Sequence, residues 1–425
     1  MLRRYLRLES LLMLLPVSLL IGTNVPVLAI GDRTLYVGSN ELVIGLLLAG
    51  LLVRKFRGAA LDPLPVALTR AAALYTGVWL VSVFFYVFWA GDFPSAAAVV
   101  ELVRWCEFLL VFPLVYWLAR TEKQVQDLMR CSAIFMLLNV LVGIYQLFTL
   151  DLGSNRIYGL FVSAANRDST TAVNANITGA AFMGGALFFL AFALAQTGRR
   201  RRENIFFMTL CVVTTALTIS RSAMLGVLMG MALLSVYYRD QWKLFLKIGL
   251  TGLGALLATV AAFNILLVRL LNTFQMTTGT VDAMAVDARY IEWEALFWPT
   301  LNNILLGVGH GDIFLYIINA DSYYVSTFAL MGAPGIAALV YLLWQIFVAA
   351  QTGALPKTPF ARAFKHGFLA CYLGFLVTNA FAGVLYNPRM AGLFWMLTAM
   401  LLRTLQPSKQ ESPPVLNAAR PAGEN

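Results

Sequence analysis

Charged residues are scarce in this 425-residue chain: they make up 12% of it, whereas 60% of the residues are hydrophobic. The mean hydropathy is +0.76. A soluble domain does not carry so many apolar runs of about twenty residues, which are typical of transmembrane helices because a helix satisfies its own backbone amides inside lipid. The composition therefore excludes an ordinary soluble protein and indicates one polytopic membrane domain with short loops.

The chain also has few residues that bind metal ions. It contains two histidines and four cysteines, and the cysteines lie in apolar runs without the spacing of metal ligands. Neither a metal site nor a disulfide framework is therefore predicted. The sequence has no Asp-x-Asp pair of the kind that chelates the metal of a nucleotide sugar. Any chemistry is expected to be electrostatic and acid–base, without a metal or a cofactor.

Lysine is absent from every segment predicted to lie on one side of the membrane. All seven lysines, and 23 of the 31 basic residues, fall in the alternate segments, which are predicted to be cytoplasmic. This distribution follows the positive-inside rule and explains the net charge of +10 better than a nucleic-acid partner would. The basic residues left for the outer side are eight arginines, at positions 33, 104, 156, 167, 221, 269, 289 and 389.

Hydropathy and loop charge predict an all-α fold of about twelve membrane spans with both termini in the cytoplasm. Residues 1–405 would form the single polytopic domain, and 406–425 a disordered cytoplasmic tail. The predicted limits of the spans are 11–30, 39–53, 68–90, 98–119, 128–149, 174–196, 204–220, 222–238, 244–268, 322–350, 366–386 and 390–405.

Two outer segments are too long to be simple turns. They cover residues 151–173 and 269–321, and loops of this length are usually functional or disordered. The second lies between the ninth and tenth spans. Within it, Ala288 to Trp298 has the spacing of an amphipathic helix with tryptophans suited to the membrane interface, and Arg289 and Trp293 share one face.

Arg221 is the outer arginine that topology explains least. It lies in a hinge, Thr218 to Ser222, between two apolar runs, where an arginine costs several kcal/mol unless it is paired, solvated or bound to an anion. A tight outer turn with a snorkelling arginine is one interpretation, and binding of a substrate anion is the other. Arg289, beside Tyr290, is either an exposed, ion-paired residue or a second anion ligand. For Arg156, Arg167 and Arg389, the two interpretations are an ordinary loop arginine and a contact with the substrate.

Two further residues are candidates for proton transfer. Asp321 opens the tenth span, where it is either the N-cap of the helix or a general base. His310 lies in the Gly-rich stretch 307–311, which is better interpreted as a turn than as a phosphate-binding loop, since it lacks the strand and helix that such a loop requires.

These motifs, taken in order, resemble the O-antigen ligase and O-antigen polymerase superfamily. The resemblance rests on Thr218-Ile-Ser-Arg-Ser-Ala, on Arg289-x-x-x-Trp293 followed by Leu306-Gly-Val-Gly, and on Asp321-Ser-Tyr-Tyr leading to Gly332-Ala-Pro-Gly. Arg156-x-x-Gly-x-Phe161 and Asn174-x-Asn176 fit more loosely. The motifs cover about residues 150–345, and the topology covers the whole chain.

The resemblance implies a bacterial inner-membrane glycosyltransferase with its site facing the periplasm. The donor would be a glycan linked to undecaprenyl pyrophosphate, and the acceptor a second glycan or lipid A–core. The family's two functional arginines would fall on Arg221 and Arg289. Further partner proteins would be a chain-length regulator and a flippase, with no nucleic acid.

Three functions follow from these observations. The ligases carry a histidine, usually followed by an asparagine, where this chain has Asp321-Ser322, which favours a polymerase of surface-polysaccharide repeat units, either O-antigen or exopolysaccharide. In that reaction Arg221 and Arg289 would be catalytic by stabilising the leaving pyrophosphate, and Asp321 or His310 would take the proton of the acceptor. The substrate-binding set would be Arg156, Arg167, Arg389, Trp293 and Tyr290. An O-antigen ligase is the first alternative, and a transporter or flippase for lipid-linked sugars is the second.

Overall fold

A computed structural model describes most of the membrane-embedded part of the chain. The described residues are 8–21, 24–30, 33–90, 96–149, 175–218, 220–262, 281–309, 322–353, 356 and 358–406. The two long loops predicted at 151–173 and 269–321 therefore lie outside this set, apart from the segment 281–309. The C-terminal tail after Gln406 lies outside it as well.

The described residues are almost entirely helical, as the apolar runs predict. The one exception is an antiparallel hairpin near the N-terminus, β1 (Asn24–Ile30) paired with β2 (Arg33–Gly38). The helices are α1 (Leu8–Leu12), α2 (Leu14–Ile21), α3 (Ser39–Phe56), α4 (Val66–Ala90), α5 (Ala96–Leu118), α6 (Glu122–Thr149), α7 (Ala175–Ala195), α8 (Gly198–Leu217), α9 (Arg221–Tyr237), α10 (Trp242–Ala262), α11 (Val281–Asn302), α12 (Tyr323–Thr352), α13 (Pro359–Phe381) and α14 (Pro388–Leu405). Short 3₁₀ helices cover Arg239–Gln241 and Val384–Tyr386.

The first predicted span, 11–30, is wrong in its second half. The helix ends at Ile21, and residues 24–30 form β1 instead. Pro26 lacks the amide hydrogen that a helix interior needs, and the β-branched residues on either side of it favour an extended backbone. The hairpin register shifts between Pro26 and Leu28, where a bulge accommodates the proline.

Helix length and composition identify membrane-spanning candidates in this set. Four helical segments are long and apolar enough to cross a bilayer: Val66–Phe85, Glu122–Tyr145, Asn176–Ala195 and Tyr323–Thr352. A fifth candidate is the pair Arg221–Tyr237 and Arg239–Ala255, whose axes are bent by 94° at the break between them. These helices are typical of a membrane protein.

Helix α7 forms the centre of the bundle, because nearly all of its side chains are buried. Helices α8, α9 and α13 pack around it. Small residues allow this close approach: a Cβ atom at Gly226 of α9 would lie 3.0 Å from the carbonyl oxygen of Gly374 on α13, and one at Gly230 would lie 2.9 Å from that of Ala370. Glycines four residues apart are a common means of packing helices in membranes.

The bundle has two chemically different ends. At the first, which we call the Arg221 end, α7, α9, α12 and α14 begin and α13 ends. At the second, the basic end, α7 and α9 end and α8 and α13 begin, with the basic run of residues 199–202 and with Arg362 and Lys365. The stacking of Phe192 on Phe360, with ring centroids 5.2 Å apart, joins the end of α7 to the start of α13.

Candidate active site

Arg221 is the first residue of α9 and follows a capped helix start. Ser220 is the N-cap, and its Oγ accepts a hydrogen bond from the amide of Ala223 at 3.4 Å. The hydroxyl of Ser222 lies 3.3 Å from the same Oγ. Serine is among the preferred N-cap residues because its short side chain satisfies an amide that the helix leaves free. The hinge predicted between two apolar runs is therefore a defined helix start.

The backbone around Arg221 is held by its neighbours on two sides. On α7, a Cβ atom at Gly179 would come within 2.8 Å of Thr218 Oγ1 and 2.9 Å of Ser220 Cβ, so only glycine allows this contact. On α13, Thr378 Oγ1 lies 3.3 Å from the carbonyl oxygen of Ser222 and 2.8 Å from that of Gly374. Its single proton bonds to one oxygen at a time. Helix packing thus fixes the position from which the arginine side chain extends.

The side chain of Arg221 is half-buried and has no protein partner in the part of the chain that the structure describes: neither an ion pair nor a hydrogen bond of its guanidinium is present there. An unneutralised guanidinium at a helix N-terminus attracts anions, because the amide groups and the helix dipole add to its positive charge. Both interpretations made from the sequence, a snorkelling arginine and an anion ligand, are consistent with a guanidinium that has no described partner.

Arg389 is brought to the same end by the connection from α13 to α14. Asn379 Oδ1 accepts from the amide of Leu385 at 3.0 Å and so turns the chain back after α13. Asn387 then caps α14, because its Oδ1 accepts from the amides of Arg389 and Met390. Arg389 is only 9% exposed. Burial lowers the pKa of its guanidinium, and the negative charge of Glu41 on α3 acts against this shift.

The start of α12 contacts this end through tyrosines. Ser322 is its N-cap and accepts from the amide of Val325 at 3.4 Å, so the cap that was predicted for Asp321 belongs to the next residue. The Tyr323 hydroxyl lies 3.1 Å from that of Tyr75 on α4. Tyr324 donates to the carbonyl oxygen of Leu376 on α13 at 3.0 Å. The segment that follows Asp321 is therefore fixed next to the end of α13.

Helix α11 confirms that the predicted segment from Ala288 to Trp298 in the second long loop is helical. Trp293 packs with Leu296 against Val325 and Ala329 of α12. The Trp293 Nε1 atom is buried, and no described residue accepts a hydrogen bond from it. Trp298 on the opposite side is 60% exposed, as expected at a membrane interface.

The Gly-rich stretch after α11 closes onto a break in α12. Gly332 has φ +66°, ψ −161°, and interrupts the helix. The amide of Val308 donates to the carbonyl oxygen of Ala329 at 2.7 Å, and the amide of Ala333 donates to Ile304 at 2.7 Å. The two segments thus exchange the hydrogen bonds that a continuous helix would make internally. The turn itself covers residues 303–306, and residues 307–309, the described part of the predicted turn at 307–311, follow it as a bend.

A proline and a serine complete this break. Pro334 has no amide hydrogen, so it leaves the carbonyl oxygen of Leu330 without its helical partner. Ser82 of α4 supplies the missing hydrogen bond, with its Oγ 2.5 Å from that oxygen. The roles of Ser82 and Thr378 could not be predicted from the sequence, because each depends on a contact between distant parts of the chain.

The structure describes the side chains of only some of the site residues that were predicted from the sequence. Arg221 and Arg389 lie at one end of the bundle and are linked through the C-terminal turn of α13. Arg289 and Tyr290 lie on α11, one turn before Trp293, but their side chains lie outside the described residues. The remaining predicted site residues also lie outside them: Arg156, Arg167, His310 and Asp321.

No group of three or more His, Cys, Asp or Glu residues could hold a metal ion in the described ranges. Comparison with known proteins adds no assignment: no protein-family model matches the chain, and no curated protein matches it.

Proposed function

We propose that this protein is an inverting glycosyltransferase of the bacterial inner membrane that polymerises undecaprenyl-pyrophosphate-linked oligosaccharide repeat units. The observation that carries the proposal is Arg221, a cation without a described partner at a tightly packed helix start. The resemblance of the surrounding motifs to the O-antigen ligase and polymerase superfamily supports the same reaction. The product would be a surface polysaccharide, either O-antigen or exopolysaccharide.

The proposal includes a topology. Twelve spans would place both termini in the cytoplasm, the Arg221 end in the periplasm and the basic end in the cytoplasm. The distribution of lysine supports this orientation, since short cytoplasmic loops retain basic residues. Of the described helices, four are long and apolar enough to cross a bilayer, or five if the bent pair of α9 and α10 forms one span, so the other spans are part of the proposal.

The reaction would be a direct displacement at the anomeric carbon. A hydroxyl oxygen of the acceptor sugar forms the new glycosidic bond as the bond to the pyrophosphate oxygen breaks, so the configuration inverts. The leaving group, undecaprenyl pyrophosphate, gains negative charge as this bond breaks. The bond between the sugar and the pyrophosphate of the lipid-linked donor already carries the energy for the transfer, so the proposed reaction needs neither ATP nor a cofactor.

The arginines would act on the leaving group. A guanidinium donates two parallel hydrogen bonds to phosphate oxygens, and these bonds strengthen as charge develops in the transition state. Arg221 would contribute such a pair from α9 and Arg289 a second pair from α11. Arg156, Arg167 and Arg389 would bind the remaining phosphate or glycan oxygens, and Tyr290 and Trp293 would contact the sugar or the lipid.

Asp321 would take the proton of the acceptor hydroxyl, with His310 as the alternative base. The tyrosine contacts of α12 support this role, because they hold the following residues, Ser322 to Tyr324, beside α13. A general base must lie within hydrogen-bonding reach of the proton it takes, so a fixed helix start is favourable.

An O-antigen ligase remains the first alternative, because it would use the same donor and the same arginines with lipid A–core as acceptor. A transporter or flippase is the second. The break in α12 favours it, since many transporters bind their substrates at discontinuous helices. At this break, however, the carbonyl oxygens of Ala329 and Leu330 already accept hydrogen bonds from Val308 and Ser82. This argues against their use as ion ligands and for a structural role of the break.

The test is polymerisation of lipid-linked repeat units in membranes that contain equal amounts of each variant. Arg221→Ala should lower the rate about a hundredfold or more, because one donor to the developing charge is lost. Arg221→Lys should give a rate between those of the wild type and Arg221→Ala, because lysine keeps the positive charge but cannot donate two parallel hydrogen bonds to a phosphate. Arg200→Ala, an exposed arginine at the basic end, is the matched control and should retain the wild-type rate.

Near wild-type product from both Arg221→Ala and Arg289→Ala would end the proposal. Movement of a labelled lipid-linked sugar across proteoliposomes without any new glycosidic bond would favour the transporter.

A further inference from the structure

A cavity of about 210 Å³ lies at the basic end, on the side opposite to the proposed active site. It is lined by Ala195, Tyr238, Gln241, Pro359 and Arg362. The end of α7, the bend between α9 and α10, and the start of α13 meet here. A single water needs only about 10–15 Å³ by the same measure, so there is room for a small polar group.

Arg362 gives this cavity its charge. Its side chain is exposed, and its guanidinium has no ion pair or hydrogen bond to any residue that the structure describes. Its positive charge acts on the hydroxyl of Tyr238 across the cavity. Gln241 adds an amide that donates hydrogen bonds. The lining thus combines a cation that has no partner among the described residues with the neutral donor of Gln241, a combination suited to an oxyanion.

The charged side chains around the cavity are mostly positive. Lys365, one helical turn after Arg362, donates from Nζ to the carbonyl oxygen of Gln351 at 3.2 Å. Arg201 donates from Nε to the last carbonyl groups of α7, 2.7 Å from that of Gln196. The carboxylate of Glu122 is near the start of α13, where its Oε2 accepts from Thr358 Oγ1 at 2.7 Å, but it does not line the cavity.

The surroundings of the cavity are those of a membrane interface. Trp242, directly after Gln241, is 50% exposed and stacks on Phe245 with ring centroids 5.6 Å apart. Aromatic residues of this kind collect at the level of the lipid headgroups. From Trp242, α10 presents a row of exposed leucines at positions 246, 250, 253 and 257. A headgroup in the cavity therefore has an apolar surface beside it for the lipid chains.

We propose that this cavity binds the phosphate of an anionic lipid headgroup. Arg362 would contact the phosphate oxygens, Gln241 would donate a further hydrogen bond, and the acyl chains would lie along α10. Basic pockets between helices on the cytoplasmic side of membrane proteins commonly bind such headgroups. The occupant we assign is a lipid and not free phosphate, because Trp242 and the exposed leucines of α10 place an apolar surface directly beside the cavity.

The test uses the full-length protein in neutral detergent and follows its thermal unfolding during titration with phosphatidylglycerol, phosphatidylcholine or inorganic phosphate. We expect phosphatidylglycerol to raise the unfolding temperature and the other two to leave it unchanged. Arg362→Gln should weaken the apparent affinity for phosphatidylglycerol about fivefold, as expected for one arginine at an anionic surface. Arg362→Lys should retain most of the affinity.

Arg200→Gln is the matched control, because Arg200 is an exposed arginine at the same end that does not line the cavity. Equal loss of affinity in Arg200→Gln and Arg362→Gln would overturn the proposal, since it would show general surface attraction. Stabilisation by millimolar phosphate as large as that by phosphatidylglycerol, and lost in Arg362→Gln, would overturn the assignment of a lipid.

Discussion

The contact between Gly307 and Gly332 leads to a quantitative prediction. Both residues have a positive φ, +69° and +66°. A Cβ atom on Gly307 would lie 2.8 Å from the Gly332 amide nitrogen and closer still to the carbonyl oxygen of Ala329. These are backbone atoms in a hydrogen-bonded crossing, so they cannot move aside as the end of a flexible side chain can.

Gly198 provides the matched control for Gly307→Ala. Its φ of +64° is nearly the same, but a Cβ atom there would meet nothing within 4 Å. The left-handed backbone costs alanine about 1–2 kcal/mol. Alanine also reduces the conformational entropy of the unfolded chain, which stabilises the folded protein by about 0.4–1 kcal/mol. Gly198→Ala should therefore lower the free energy of unfolding by about 1 kcal/mol.

Gly307→Ala should cost more, because the steric conflict adds to the same conformational strain. Forcing extra volume into a packed region costs about 1–3 kcal/mol. The total loss should then be about 2–4 kcal/mol. The assay is reversible unfolding of the purified protein in mixed micelles with increasing SDS, and both variants are compared with the wild type.

The double variant provides an internal check. Gly332→Ala should lower the free energy of unfolding by about as much as Gly307→Ala. The double variant should lose less than the sum of the two single losses, because either substitution already separates the same two segments. If Gly307→Ala and Gly198→Ala differ by less than about 0.5 kcal/mol, the close crossing of α12 and the stretch 307–309 is not real, and the reasoning fails.

Two other predictions rest on described contacts, and a third tests the proposed orientation. Ser82→Ala should lower the free energy of unfolding by about 1–3 kcal/mol, because the Leu330 carbonyl group loses its partner, whereas Thr69→Val, at an exposed hydroxyl, should stay within about 0.5 kcal/mol. Asp62→Ala should lower the free energy of unfolding by about 1.5–3 kcal/mol, because Arg403, whose side chain is 8% exposed, loses a carboxylate at 2.9 Å. In a protein that carries Arg403→Met, the further change Asp62→Ala should be nearly neutral in the same assay. A membrane-impermeant thiol reagent added from the periplasmic side should label Arg167→Cys and not Arg200→Cys; labelling only at position 200 would reverse the proposed orientation.

The helices were predictable because each depends mainly on local composition. Apolar runs of sufficient length, and the basic residues between them, locate α7, α12 and α14 closely, whereas α6, α8 and α13 begin before the predicted limits of 128, 204 and 366. The failure at 11–30 has a local cause as well: mean hydropathy does not distinguish a buried helix from the strand that Pro26 and its β-branched neighbours favour. The all-α expectation is therefore correct everywhere in the described ranges except at β1 and β2.

The candidate site was predictable only in its individual residues. Ser220 and Arg221 stand out because a cap residue and a cation interrupt an apolar sequence. Their fixation by Gly179 and Thr378 depends on contacts across 41 and 156 positions of the chain, which no local pattern encodes. The break at Gly332 was not predicted, since residues 322–350 were expected to form one continuous span, and its bonding partners Ser82 and Val308 are distant in the sequence.

The most direct test of the proposed polymerase is the set of lipid-linked glycans that accumulates in a strain lacking this protein. The account predicts single repeat units on undecaprenyl pyrophosphate, with long chains restored by the wild-type protein and by Arg200→Ala but not by Arg221→Ala. Long chains that remain on the lipid carrier would indicate a ligase and contradict the polymerase. An unchanged set of products, with or without Arg221, would contradict glycosyl transfer altogether.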